Sequence, residues 1–201
     1  MDWGLLFTFA TTFASILALP GPNAAFAVGQ SLRYGARKSL AVAVGFMLAT
    51  CVHGILVLSG LGVLIQRYAG ALVLLKWCGV AYLVYLAIKA FRSGVNIVTV
   101  SSQTMTVSKM MLSAMAVSLT NPKALLASLM IYPLFITSSG TYISQAVALM
   151  AVAMAISFSI YATYIVGASK MGKHLRGSKW ANKIVASFYL GAAGVLASKS
   201  T

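Results

Sequence analysis

Asp2 is the only carboxylate side chain among 201 residues, against 15 lysines and arginines. A surface wetted on all sides interleaves both signs of charge, and this chain has almost nothing to interleave. A nucleic-acid-binding protein can carry a net charge of +14, but not together with 60% hydrophobic residues and a mean hydropathy of +0.92. Such a chain belongs in lipid.

A charge-free run of about 20 residues can cross a bilayer as a helix. Residues 3–32, 39–66 and 142–169 carry no charge, and neither does the shorter 184–198. Residues 68–88 carry only Lys76, and 112–136 carry only Lys123. Short connections join these six spans and leave no room for a soluble domain. The expectation is one all-α integral membrane domain over residues 1–201. The first span does not read as a cleavable signal peptide, because it lacks a leading positive charge and its apolar run is too long. Cys51 and Cys78 fall inside spans and read as small buried hydrophobes. No spacing suggests a metal site, a cofactor site or a disulfide framework.

Basic residues favour the cytoplasmic ends of spans. The first, third and fifth connections hold eleven of the fifteen: Arg33, Arg37, Lys38, Lys89, Arg92, Lys109, Lys170, Lys173, Arg176, Lys179 and Lys183. These connections are expected in the cytoplasm and both termini outside. Anionic lipid and topology account for the basic loops. They lack the interleaved aromatics of a nucleic-acid platform.

Leu19, Pro22 and Ala24 recur 100 residues later as Leu119, Pro122 and Ala124. Lys76 precedes Tyr82-Leu83 by six residues, as Lys183 precedes Tyr189-Leu190. The two echoes relate spans one to three with spans four to six. A three-span unit crosses an odd number of times, so its second copy is inverted. Inverted repeats are a common transporter architecture. Repeat one would occupy 1–92, a cytoplasmic linker 93–109, and repeat two 110–201.

Proline removes a helical donor and clashes with the preceding turn. In lipid such a break belongs where it lines a cavity. Pro20-Gly21-Pro22-Asn23 interrupts the first span, and Asn121-Pro122-Lys123 interrupts the fourth, with Tyr132-Pro133 further on. Two half-helices are expected in each, with Asn23 opening the second half of the first. Half-helix N-termini attract anions, Asn23 and Asn121 add amide donors and acceptors, and Lys123 adds a cation. A lysine near the bilayer centre costs about 2.5–3.5 kcal/mol. Lys123 therefore reads either as a brace on unwound carbonyls of the first span, or as a substrate or proton ligand; the two can coexist. His53, in the second span, suits proton coupling, or is a neutral histidine bonded to a neighbouring helix. Thr50, Ser157, Ser159, Tyr161 and Tyr164 line a polar path or bond helix to helix. Ala41, Gly45, Gly191 and Gly194 would allow close helix packing.

With Pro20-Gly21-Pro22-Asn23 and Asn121-Pro122-Lys123, the chain resembles the lysine exporter (LysE/RhtB) superfamily of bacterial amino-acid efflux proteins over essentially its whole length. Residues 75–83, the His53 region, 119–123 and 193–199 are most similar to its homoserine/threonine (homoserine lactone) efflux branch. The resemblance implies a six-helix inner-membrane exporter of amino acids or close derivatives, driven by the proton-motive force. Family members often carry a carboxylate in the second or fifth span, and this chain has none there. Coupling is then expected to use Lys123, His53 or the substrate's own proton. Asn23, Asn121 and Lys123 would bind substrate at a midplane site shaped by Pro20, Gly21, Pro22 and Pro122. A uniporter or channel for small polar metabolites is the alternative. An enzyme is not expected, for want of a paired acid, a metal cluster or a nucleophile elbow. So small a transporter suits a homodimer.

Overall fold

The computed structural model describes residues 2–61, 105–137 and 140–175, with helical positions scattered through 77–88 and 183–197. Regular structure among the described residues is entirely helical. Most of the third and sixth spans, with the lysine–tyrosine echo between them, lies outside the described residues, as does Cys78.

Asp2 opens helix α1 (Trp3–Ala18). Its carboxylate accepts from the backbone N–H of Gly4 at 2.6 Å and of Leu5 at 3.4 Å, so the chain's one acid is spent as a helix cap. Leu19 leaves α1 in an extended conformation. Helix α2 (Pro22–Tyr34) then starts with Pro22 at its first position, where no N–H is missed. The two halves meet at 64°. The expected break is there, with one adjustment. Gly21 is the cap residue and Pro22 the first helical one, so Asn23 stands a position inside the half-helix.

The connection expected around Arg33, Arg37 and Lys38 shrinks to one residue. Gly35, at φ 79°, turns the chain directly into α3 (Ala36–Leu56). Long basic side chains can ride on helix ends with their charged heads outward, so they do not require a loop. Arg33 and Lys38 lie over the Tyr34 ring at 5.2 and 5.5 Å. A π-helical turn, Val57–Leu61, closes α3 and contains Gly60 at φ 85°.

Helix α4 (Val107–Leu119) is capped by Thr106. Helix α5 (Pro122–Ile131) follows and runs into a 3-10 turn, Tyr132–Phe135, started by Pro133. This second pair is also bent by 64°. The charge-free turn between spans four and five is fastened by Gln145. Its amide donates to the carbonyls of Thr137 and Gly140, and its oxygen accepts from the Thr137 N–H at 2.9 Å. Helix α6 (Tyr142–Leu175) has 34 residues. At 1.5 Å per residue it is about 50 Å long, more than a hydrocarbon core of about 30 Å. The excess carries Lys170 and Lys173, which were expected in a loop. Ala36–Gly60 and Tyr142–Gly172 are each long and apolar enough to cross a membrane, and each bent pair could supply one more span.

Helix α3 packs against α4 and α6. A Cβ on Gly45 would stand 2.4 Å from the Met111 carbonyl and 2.8 Å from the Ala114 Cβ, so this glycine lets α3 and α4 touch, as expected. Gly191 and Gly194 have no such neighbour among the described residues. Two apolar clusters form the core. One gathers Phe26, Val42, Phe46, Met110, Tyr161 and Ile165; the other gathers Phe9, Phe13, Tyr132, Phe135 and Leu149. The clusters lie at opposite ends of the helices. α3 and the π-helical turn after it run from Phe46 in the first to Val57 in the second, and α6 from Leu149 in the second to Tyr161 in the first. The broken pairs cross likewise, from Phe13 to Phe26 and from Val117 to Leu125. At the crossover lie six of the buried polar residues, Asn23, Thr50, His53, Ser118, Asn121 and Ser157.

Candidate functional site

The polar layer is built from the two breaks. At the end of α4 the Thr120 N–H and hydroxyl both bond to the Ala116 carbonyl, at 3.0 and 2.7 Å. Asn121 then caps α5, its side-chain oxygen accepting the Lys123 N–H at 3.1 Å. The other end of the same amide reaches the first break. Asn121 Nδ2 donates to Asn23 Oδ1 at 2.9 Å, and Asn23 Nδ2 donates to Ser118 Oγ at 3.0 Å. Both asparagines are buried. A hydrogen-bonded chain from α4 through α2 to α5 thus ties the two half-helix N-termini side by side. Each amide keeps one N–H and one lone pair beyond these bonds.

The carbonyls released where α1 stops are also met by distant side chains. The Tyr164 hydroxyl donates to the Ala18 carbonyl at 2.7 Å, and Lys123 Nζ donates to the Leu19 carbonyl at 2.8 Å. Lys123 therefore does brace the unwound segment. It also passes Gly21 closely: a Cβ there would stand 3.6 Å from Nζ. Tyr161 comes in from α6 against Asn23, its ring 4.6 Å from that of Phe46.

These groups surround a cavity of about 20 Å³ lined by Gly21, Asn23, Asn121, Lys123 and Tyr161, with Ile16, Leu17, Leu19 and small alanines as its apolar side. That volume admits about one water molecule. A space of that size is too small for an amino acid, so binding one needs the groups around it to move apart. Residues at both helix starts line the cavity, and the first N–H groups of α5 are already bonded to Asn121. Pro22 has no N–H, and no side chain caps α2. The partial positive charge of two helix starts and a lysine converge there without a carboxylate.

Of the site residues expected from sequence, Asn23, Asn121, Lys123 and Gly21 come together. Pro22 is buried at the start of α2, Pro122 begins α5, and Pro20 is exposed. His53 does not line the cavity. It is 3% exposed in the same layer, and its Nε2 has no hydrogen-bond partner among the described residues, so the expected bond to a neighbouring helix is not made by that atom. Thr50 and Ser157 do bond helix to helix, at 3.0 Å. Ser159 turns back on its own helix, to the Ala155 carbonyl. Ser118 was missed from sequence. Its signal is a small polar residue one helical turn before Asn121. The described residues contain no group of three or more metal-ligating side chains.

A family model described as LysE type translocator matches residues 14–200. An uncharacterized membrane protein of Vibrio cholerae is 27% identical over 201 residues, covering 98% of each chain. The homoserine/homoserine lactone efflux protein of Salmonella typhimurium is also 27% identical, over 98% of this chain and 97% of its own. The leucine efflux protein of an Enterobacter species is 24% identical over 98% of each. No solved structure matches.

Proposed function

The chain belongs to the LysE type translocator family, and from that premise we propose that it is a secondary exporter of amino acids or close derivatives in the bacterial inner membrane. The observation that carries this reading is the convergence of two half-helix N-termini, Asn23, Asn121 and Lys123 on one small cavity. Relatives named for homoserine, homoserine lactone and leucine efflux point to small neutral amino acids as first substrates to try. Their carboxylate suits the helix starts and Lys123. Their side chains suit the apolar wall of Ile16, Leu17 and Leu19.

In this reading the fold is six spans in two inverted repeats, with the two 64° bends as corresponding features. Rocking one repeat against the other would expose the site to each side in turn. The driving force is the proton-motive force, with Lys123, His53 or the substrate itself carrying the proton. The lack of any intramembrane carboxylate favours a second reading, a uniporter that lets substrate run down its own gradient. Proteoliposomes separate the two. Homoserine or leucine flux that accelerates under an imposed pH gradient supports coupled export. Flux indifferent to the gradient supports the uniporter. No flux with any amino acid, from protein shown to be folded, removes both.

A further inference from the structure

A proline break does two opposite things. It opens N–H groups at the start of α2, and it strands the last carbonyls of α1. A helix C-terminus carries partial negative charge and suits a cation, and unwound carbonyls hold cations in transporter sites. Here the Leu19 carbonyl already holds an ammonium, that of Lys123, reaching across from the other break at 2.8 Å. An amino acid brings an ammonium of its own, and no acid waits for it. Asp2, the only carboxylate side chain, caps the opposite end of α1. The Leu19 carbonyl is the cation acceptor on the cavity wall, beside the two N-termini that would take the substrate's carboxylate.

We propose that Lys123 is a tethered stand-in for the substrate's ammonium. It occupies the Leu19 carbonyl until substrate arrives. The arriving ammonium displaces it, and the released Lys123 pairs with the substrate's carboxylate. One ammonium replaces another on the carbonyl, and the freed lysine is neutralised by the carboxylate, so no charge is left unmatched. The exchange lets a site without an acid hold a zwitterion. A carboxylate alone cannot take the lysine's place on the carbonyl, and an amine alone brings no carboxylate to the lysine it displaces. The identity of the substrate rests on the exporter reading above; the cation site on Leu19 does not.

The test uses isobutylammonium as probe and isobutanol as its neutral counterpart, on the purified full chain in lipid nanodiscs. Thermal unfolding is followed against probe concentration for the natural protein and for Lys123→Ala. Lys123→Met serves as a second variant that keeps the apolar stem beside Gly21. The expected result is saturable stabilisation of either variant by the amine, at a half-saturating concentration at least roughly tenfold below that of the natural protein, as for one charged hydrogen bond. Isobutanol should do nothing. Equal response of natural protein and variants, or equal action of amine and alcohol, overturns the proposal. Such a failure leaves amino-acid flux, measured separately, untouched. Amine binding by the variants with no amino-acid flux in the natural protein removes the exporter reading alone.

Discussion

Two charged residues, Asp2 and Lys123, divide the labour at the ends of α1. Asp2 caps its start, and Lys123 covers a carbonyl just past its end. Their replacements should have opposite profiles. Asp2→Ala is expected to lower stability by about 1 kcal/mol, the usual worth of an N-cap, seen as an earlier unfolding midpoint with export unchanged. Lys123→Ala is expected to abolish homoserine and leucine export while the protein still reaches the membrane, measured as flux per inserted molecule. Normal flux would take Lys123 out of the transport path. Asn23, Asn121 and Lys123 were legible in the sequence because a polar side chain inside an apolar span must have a reason. Their partners were not. Ser118, Tyr161 and Tyr164 carry ordinary hydroxyls, and the pairings join residues 95 to 146 positions apart, which only the folded chain brings together.

Among the elements, the broken helices were readable because proline acts locally, through its own missing N–H and the turn before it. Their bend angle and mutual contact were not readable, since they follow from packing. The single-residue joint at Gly35 was hidden for another reason: charge marks a membrane boundary but does not say whether the backbone there is helical. Among the described glycines, Gly45 leaves the least room for a side chain. Gly45→Ala would press a methyl group into the Met111 carbonyl, and the expected cost is about 1–3 kcal/mol, typical of overpacking. Unfolding in detergent would measure it. Gly21→Ala makes a useful contrast, because its methyl would meet Lys123 at ordinary contact distance in an extended backbone. Its stability should stay within about 0.5 kcal/mol of the natural protein, the range for substitutions that disturb nothing.

For the whole molecule, the charge pattern makes a claim about sidedness. In a variant with Cys51 and Cys78 replaced by alanine, a cysteine at Thr141 should react with an impermeant maleimide added outside intact cells. One at Arg37 should react only after the membrane is opened. The reverse result would invert the topology. The six-span count rests on apolar runs with at most one charge, and the described helices supply up to four of those spans. What the sequence did not reveal is how the buried polar residues are distributed. Six of those described, Asn23, Thr50, His53, Ser118, Asn121 and Ser157, form a layer with an apolar cluster on each side, while others such as Ser31 and Gln145 lie towards the helix ends. Interdigitated side chains must be unpacked before they can slide, whereas a hydrogen bond between two amides can be traded for one to a substrate or to water. The layer is therefore a fault line. α3 and α6 cross it unbroken and act as dowels that keep the two blocks in register. The two helices interrupted beside it are the ones whose halves can shift past each other, so the direction in which this molecule yields is already set by which of its helices are whole.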